Sequence, residues 1–142
     1  MQYVAGQKTK AKQSWKNDSN EDKTSFKNAY YPVFKNKKDE VVKNSYKLNK
    51  NIVISGPNAS GKTTVLKTTL FNIILSQQIG MGFYENAKIN PYSKIHCYLN
   101  IPDTSDRDSL FQAEARRCRE IIKSLKEHPN SNHFCIFDEL YS

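Results

Sequence analysis

Eight consecutive residues, Gly56-Pro57-Asn58-Ala59-Ser60-Gly61-Lys62-Thr63, satisfy the pattern G-x-x-x-x-G-K-[ST]. The chemistry this spacing serves is phosphate binding. The glycines let backbone N–H groups turn inward around phosphate oxygens, and a helix starting at the loop's end adds the positive end of its dipole. Lys62 is placed to reach the β- and γ-phosphates of a nucleotide, and the Thr63 hydroxyl to join a Mg²⁺ shell. Such a site needs a second part, an acidic residue ending another apolar strand. Phe134-Cys135-Ile136-Phe137-Asp138-Glu139 supplies it. Asp138 is positioned to hold Mg²⁺ directly or through water, and Glu139 to polarise an attacking water. The plain alternatives are a Gly-rich strand–helix turn with a solvated lysine, and two strand-end carboxylates facing water. The apolar run before the loop and the apolar segment after it favour the phosphate reading, that of a Mg²⁺-dependent ATPase.

These groups need elements to position them. Asn51–Ser55 is a short β-branched run ending at Gly56, which predicts a buried strand. From Thr63 to Ile79 the chain is apolar on most sides, which predicts a helix buried between a sheet and another layer and ended by Gly80 and Gly82. Ile95–Ile101 reads as a strand. Leu110, Phe111, Ala115, Cys118, Ile121, Ile122 and Leu125 recur at helical spacing, with Arg116, Arg117, Arg119 and Lys123 largely off that stripe. A turn at His128–Asn132 leads into a buried strand at Phe134–Phe137. Upstream, Tyr30–Phe34, Val41-Val42 and Tyr46–Leu48 suit short strands joined by turns. Alternating strands and helices imply an α/β fold, here a P-loop NTPase with a mainly parallel sheet. Residues 1–28 are polar and aperiodic and read as a linker or the remnant of a preceding domain, with 29–142 as the ATPase domain.

Composition limits the alternatives. The chain has 142 residues and a net charge of +8, unevenly spread. Residues 1–50 hold twelve lysines against five carboxylates, whereas residues 51–142 are nearly neutral with ten basic groups against nine acidic. A polyanion-tolerant front end fits this split, as does a merely solvated one. No run approaches the roughly 20 apolar residues of a membrane-spanning helix. The first residues lack an apolar segment behind their lysines, so no secretory signal is expected. Cys97, Cys118 and Cys135 have no metal-like spacing and read as buried thiols in a reducing compartment, cytoplasm or nucleus.

GPNASGKTT, Gln77-Gln78-Ile79-Gly80, the stretch Asp103–Ala115 and Phe137-Asp138-Glu139 resemble the C-terminal ATPase domain of MutS-type DNA mismatch-recognition proteins, over roughly residues 30–142. The loop is shared with ABC-type ATPases. Asp108-Ser109-Leu110-Phe111-Gln112-Ala113-Glu114 is the discriminating piece, similar to the family's S-T-F-x-x-E segment. An ABC transporter would carry L-S-G-G-Q, and this sequence does not. Leu110 departs from the family's threonine, Ala59-Ser60 from its Met-Gly, and Leu140-Tyr141-Ser142 from its Ile-Gly-Arg-Gly, so an ATPase incomplete at its C-terminal end, a fragment or a divergent relative, is expected. The resemblance adds Thr64 to the nucleotide-binding set, places Val41 and Val42 where the family packs adenine, and gives Ser109 a role at the γ-phosphate of a partner subunit. It implies ATP and Mg²⁺ as ligands, mismatched DNA as a partner reached through domains outside these residues, and a homodimer or a heterodimer with a related subunit. Read from the residues alone, Ser109 and Gln112 form a capping box. Two other functional readings stand beside this one: a nucleotide-binding dimerisation module with negligible turnover, and an ABC- or SMC-like ATPase.

Overall fold

A computed structural model describes residues 9–10, 12–13, 23–32, 41–99 and 110–139. The chain divides into two compact units, Met1–Pro91 and Tyr92–Ser142. In the first, the described strands are β1 (Thr9–Lys10), β2 (Lys12–Gln13), β3 (Ser25–Ala29), β4 (Asn44–Lys47), β5 (Met81–Gly82) and β6 (Asn86–Ile89), with helix α1 (Lys62–Ile79). In the second, β7 (Lys94–Tyr98), helix α2 (Leu110–Glu127) and β8 (His133–Phe137) follow one another. No helix among the described residues is long and apolar enough to cross a membrane.

The larger sheet has the order β2-β6-β3-β4. β3 pairs antiparallel with both β4 and β6, and β2 runs parallel to β6. Phe26 and Ala29 of β3 are both buried although they are an odd number of residues apart. A regular strand would put them on opposite faces. The register with β4 shifts between them, and Asn28 takes a φ of 54°, so the irregularity absorbs the extra residue and turns both side chains inward. Asn28 is suited to the left-handed region, and its amide N–H donates to Ser45 Oγ at 2.9 Å. Thr24 and Phe26 are buried, and Phe26 packs on Tyr46 and Tyr84 with ring centroids 5.5 and 5.7 Å apart.

Three expectations are corrected here. The sheet carrying most strands is antiparallel rather than mainly parallel, because β3, β4 and β6 pair as neighbours of opposite direction. The parallel pairing expected of an α/β fold is met in β7–α2–β8, where the connection is long enough to hold a crossover helix. Asn51–Ser55 forms no strand and is exposed, with Val53 93% accessible. β-branched residues favour a ladder only where a neighbouring strand offers one, and the described strands pair with one another instead. Helix α1 spans the expected residues and ends at Gly80 in a left-handed cap whose N–H reaches the Ser76 carbonyl at 3.0 Å. Its buried stripe, however, is Thr68, Thr69, Asn72, Ile73 and Ser76, while Phe71, Ile74 and Ile79 are exposed.

The polar stripe is buried because each group finds a partner. Asn72 Nδ2 donates to the carbonyls of Thr68 at 3.0 Å and Tyr30 at 3.5 Å, and its Oδ1 accepts from the Phe83 N–H at 2.7 Å. Thr69 Oγ1 donates to the Val65 carbonyl and therefore accepts from the Tyr46 hydroxyl at 2.7 Å. Ser76 Oγ and the Tyr84 hydroxyl lie 2.9 Å apart. Burial pushes the Tyr46 and Tyr84 phenols upward, which keeps both as hydrogen-bonding neutral groups.

Candidate functional site

The phosphate-loop residues run directly into α1. Gly61 is the N-cap, with φ 93° and ψ 13°, and supplies no side-chain cap; the first turn holds no acidic residue. Among the described residues, neither a side-chain cap nor a first-turn carboxylate stands at the start of the helix. Ala59 is also left-handed, at φ 61°. Left-handed residues thus flank Ser60 on both sides. Holding alanine there costs about 1–2 kcal/mol. A Cβ on Gly56 would meet Ser60 Oγ at 3.0 Å, a contact to which the serine side chain would have to give way. Ser60 N–H closes the turn on the Pro57 carbonyl at 3.3 Å, and Val65 N–H reaches Gly61 at 3.0 Å.

Lys62 lies back across this loop. Its Nζ donates to the carbonyls of Gly56 at 2.8 Å and Pro57 at 3.0 Å. The ammonium group is therefore held over the loop by neutral acceptors, which a phosphate oxygen can replace with a stronger, charge-assisted partner. Gly56, Pro57, Asn58, Ala59 and Ser60 are exposed, and Gly61 to Thr64 are half-buried. The Thr64 carbonyl accepts from Thr68 Oγ1 at 2.7 Å. The loop's conformation and its lysine fit a bound phosphate group.

Asp138 and Glu139 follow β8 in the second unit. The Asp138 N–H donates to the Tyr98 carbonyl at 2.8 Å, extending the β7–β8 ladder by one residue and fixing where the acidic pair begins. Glu139 is exposed and left-handed at φ 48°. Among the described residues Asn28, Ala59 and Glu139 are the non-glycine positions with positive φ. Two of the three lie in the two expected motifs, and backbone strain concentrates at working sites. Sequence reading chose Ala59 and Glu139 for their motif positions and had no signal for their backbone conformation.

The remaining expected residues are less informative. Val41 is half-buried and Val42 exposed, both ahead of β4 and outside any strand. Ser109 lies outside the described residues, and Gln112, its expected capping-box partner, is exposed in α2. Glu114, the acidic end of the same segment, is buried in α2. No group of three or more His, Cys, Asp or Glu side chains among the described residues is arranged to hold a metal ion. None of the three cysteines is joined in a disulfide, and all three are half-buried.

No protein-family model matches the chain. It is 29% identical over 117 residues to an endonuclease MutS2 of Staphylococcus haemolyticus, a match covering 80% of this chain and 14% of that protein. An endonuclease MutS2 of Staphylococcus carnosus is 29% identical over 90 residues, covering 63% and 11%. That of Staphylococcus epidermidis is 26% identical over 125 residues, covering 84% and 15%. The chain thus spans 11–15% of the length of these relatives. Its similarity to bacterial endonuclease MutS2 proteins is distant and partial.

Proposed function

We propose that this chain is the nucleotide-handling part of a MutS-type ATPase, binding Mg²⁺–ATP through Gly56–Thr64 and hydrolysing it in mismatch repair or a related DNA transaction. The observation that carries this reading is the loop itself: Ala59 and Gly61 left-handed at the uncapped start of α1, with Lys62 held across it. The distant similarity to endonuclease MutS2 proteins supports the family part. In this reading the fold completes as a P-loop NTPase, and the protein works inside the cell.

The roles follow from the residues. Lys62 exchanges the Gly56 and Pro57 carbonyls for β- and γ-phosphate oxygens, and the N–H groups opening α1 serve the same anion. The Thr63 hydroxyl and the Asp138 carboxylate are the groups that would hold Mg²⁺, which supplies charge neutralisation at the phosphates. The Glu139 carboxylate accepts a proton from the attacking water. Val41 and Val42 line the adenine, and Ser109 contributes at the γ-phosphate of a partner copy, giving a homodimer or heterodimer with shared sites.

The test is steady-state turnover of Glu139→Ala beside its ATP affinity. Turnover is expected to fall about a hundredfold or more with affinity little changed. Unchanged turnover contradicts the assignment. Mixing Lys62→Ala with Ser109→Ala chains, each nearly inactive alone, checks the shared site: turnover returns if one intact composite site forms, and stays absent if each chain acts alone.

A further inference from the structure

The parallel register of β7 and β8 sets Lys94 opposite His133 and His96 opposite Cys135. Alternate residues share a face, so Lys94, His96 and Tyr98 stand with His133, Cys135 and Phe137. His96 Nε2 lies 3.0 Å from His133 Nδ1, and His133 Nε2 lies 2.9 Å from the His128 carbonyl oxygen. The ring planes are within 10° of parallel, yet the centroids are 5.3 Å apart. So long a separation with so short a nitrogen–nitrogen contact means rings joined edge to edge through a hydrogen bond, not rings lying face over face.

The protons in this chain can be assigned. A carbonyl only accepts, so His133 Nε2 carries a hydrogen. A neutral imidazole has one N–H, so His133 Nδ1 is the bare acceptor and His96 Nε2 the donor. Polarity therefore runs one way, from His96 through His133 to the turn at His128. We propose that His96, His133 and the His128 carbonyl form a proton-sensitive clamp that holds the start of β8 in register on β7 and releases on acidification.

A proton at His96 Nδ1 sets a cation near Lys94 on its own strand and Arg117 on α2, whose guanidinium reaches the Cys97 carbonyl at 3.4 Å. Cys135, opposite in register, offers no compensating thiolate, since burial pushes its thiol upward. Burial first, then the charges of His133, Lys94 and Arg117, hold His96 below the usual histidine value of 6.5. The sign follows: a depressed histidine gives stability that is present above about pH 6.5 and lost as the pH falls. What the clamp protects is alignment. β8 ends at Phe137, the Asp138 N–H is bonded to Tyr98, and a slip of one residue would exchange the two faces of the strand. This inference does not depend on nucleotide binding.

The experiment is imidazole ¹⁵N NMR of the full chain from about pH 8 to about pH 5, with amide hydrogen exchange read at residues 95–98 and 134–137 and referenced to α1. At the upper pH both rings are expected as Nε2–H tautomers. Protection factors of the β7–β8 amides should fall about tenfold on acidification while those of α1 hold. His96→Gln keeps a donor for His133 without titrating, and should abolish most of that fall. An Nδ1–H tautomer at His133, protection that does not change with pH, or an equal fall in wild type and His96→Gln overturns the proposal. Should His96→Gln not fold, the wild-type tautomer and protection decide.

Discussion

Residues 51–61 and helix α1 adjoin in the chain and are built in opposite ways. The helix puts polar side chains inward and satisfies each through a partner on a strand or its own backbone, so Asn72 and Ser76 are wholly buried. The segment before it is exposed throughout residues 51–60, holds Ala59 in the left-handed region, and is closed by Lys62 on its own carbonyls. The contrast separates two uses of polar groups. Polar groups in α1 are committed to the fold, and removing one leaves a buried partner unpaired. The loop holds its lysine on exposed contacts with its own carbonyls, outside the core.

The strongest way to break this contrast is Asn72→Ala, which strands the Phe83 N–H and the Tyr30 carbonyl in the interior. Urea unfolding should show a loss of about 3 kcal/mol, and a loss under about 1 kcal/mol would mean that the stripe is not committed to the fold. The Ser76–Tyr84 pair sharpens it. Ser76→Ala and Tyr84→Phe should each cost about 1–2 kcal/mol, and the double variant clearly less than their sum; additive losses would show that the two hydroxyls do not depend on each other. The smallest effect runs the other way. Ala59→Gly removes the left-handed penalty but adds backbone entropy, so thermal unfolding should report a net gain of about 0.5–1 kcal/mol. A loss there would mean that the loop's strain is not local to Ala59.

The sequence was informative where local pattern decides structure. Apolar residues at helical spacing from Leu110 to Leu125 and the run Phe134–Phe137 lie in α2 and β8, and both ends of the α1 segment are as expected. It was uninformative where a partner decides. Asn51–Ser55 has the composition of a buried strand, but composition cannot name the strand beside it. The buried face of α1 was misjudged because counting apolar residues favours Phe71, Ile74 and Ile79, whereas burial follows the hydrogen-bond partners of Thr69, Asn72 and Ser76. In the candidate site, motif spacing made residue types and positions legible, not their roles. The left-handed conformations of Ala59 and Glu139 were not, nor was the His96–His133 contact, which exists only once β7 and β8 are in register.

On the proposed reading the loop's lysine is held ready for a phosphate rather than needed for folding. Titration calorimetry of Mg²⁺–ATP against wild type and Lys62→Ala, with urea unfolding of both, tests it most directly. Affinity should fall ten- to hundredfold, the loss of a charge-assisted contact of about 1.5–3 kcal/mol, with stability unchanged within about 0.5 kcal/mol. Equal ATP affinity in the two proteins, or a lost fold in place of lost binding, would contradict the account.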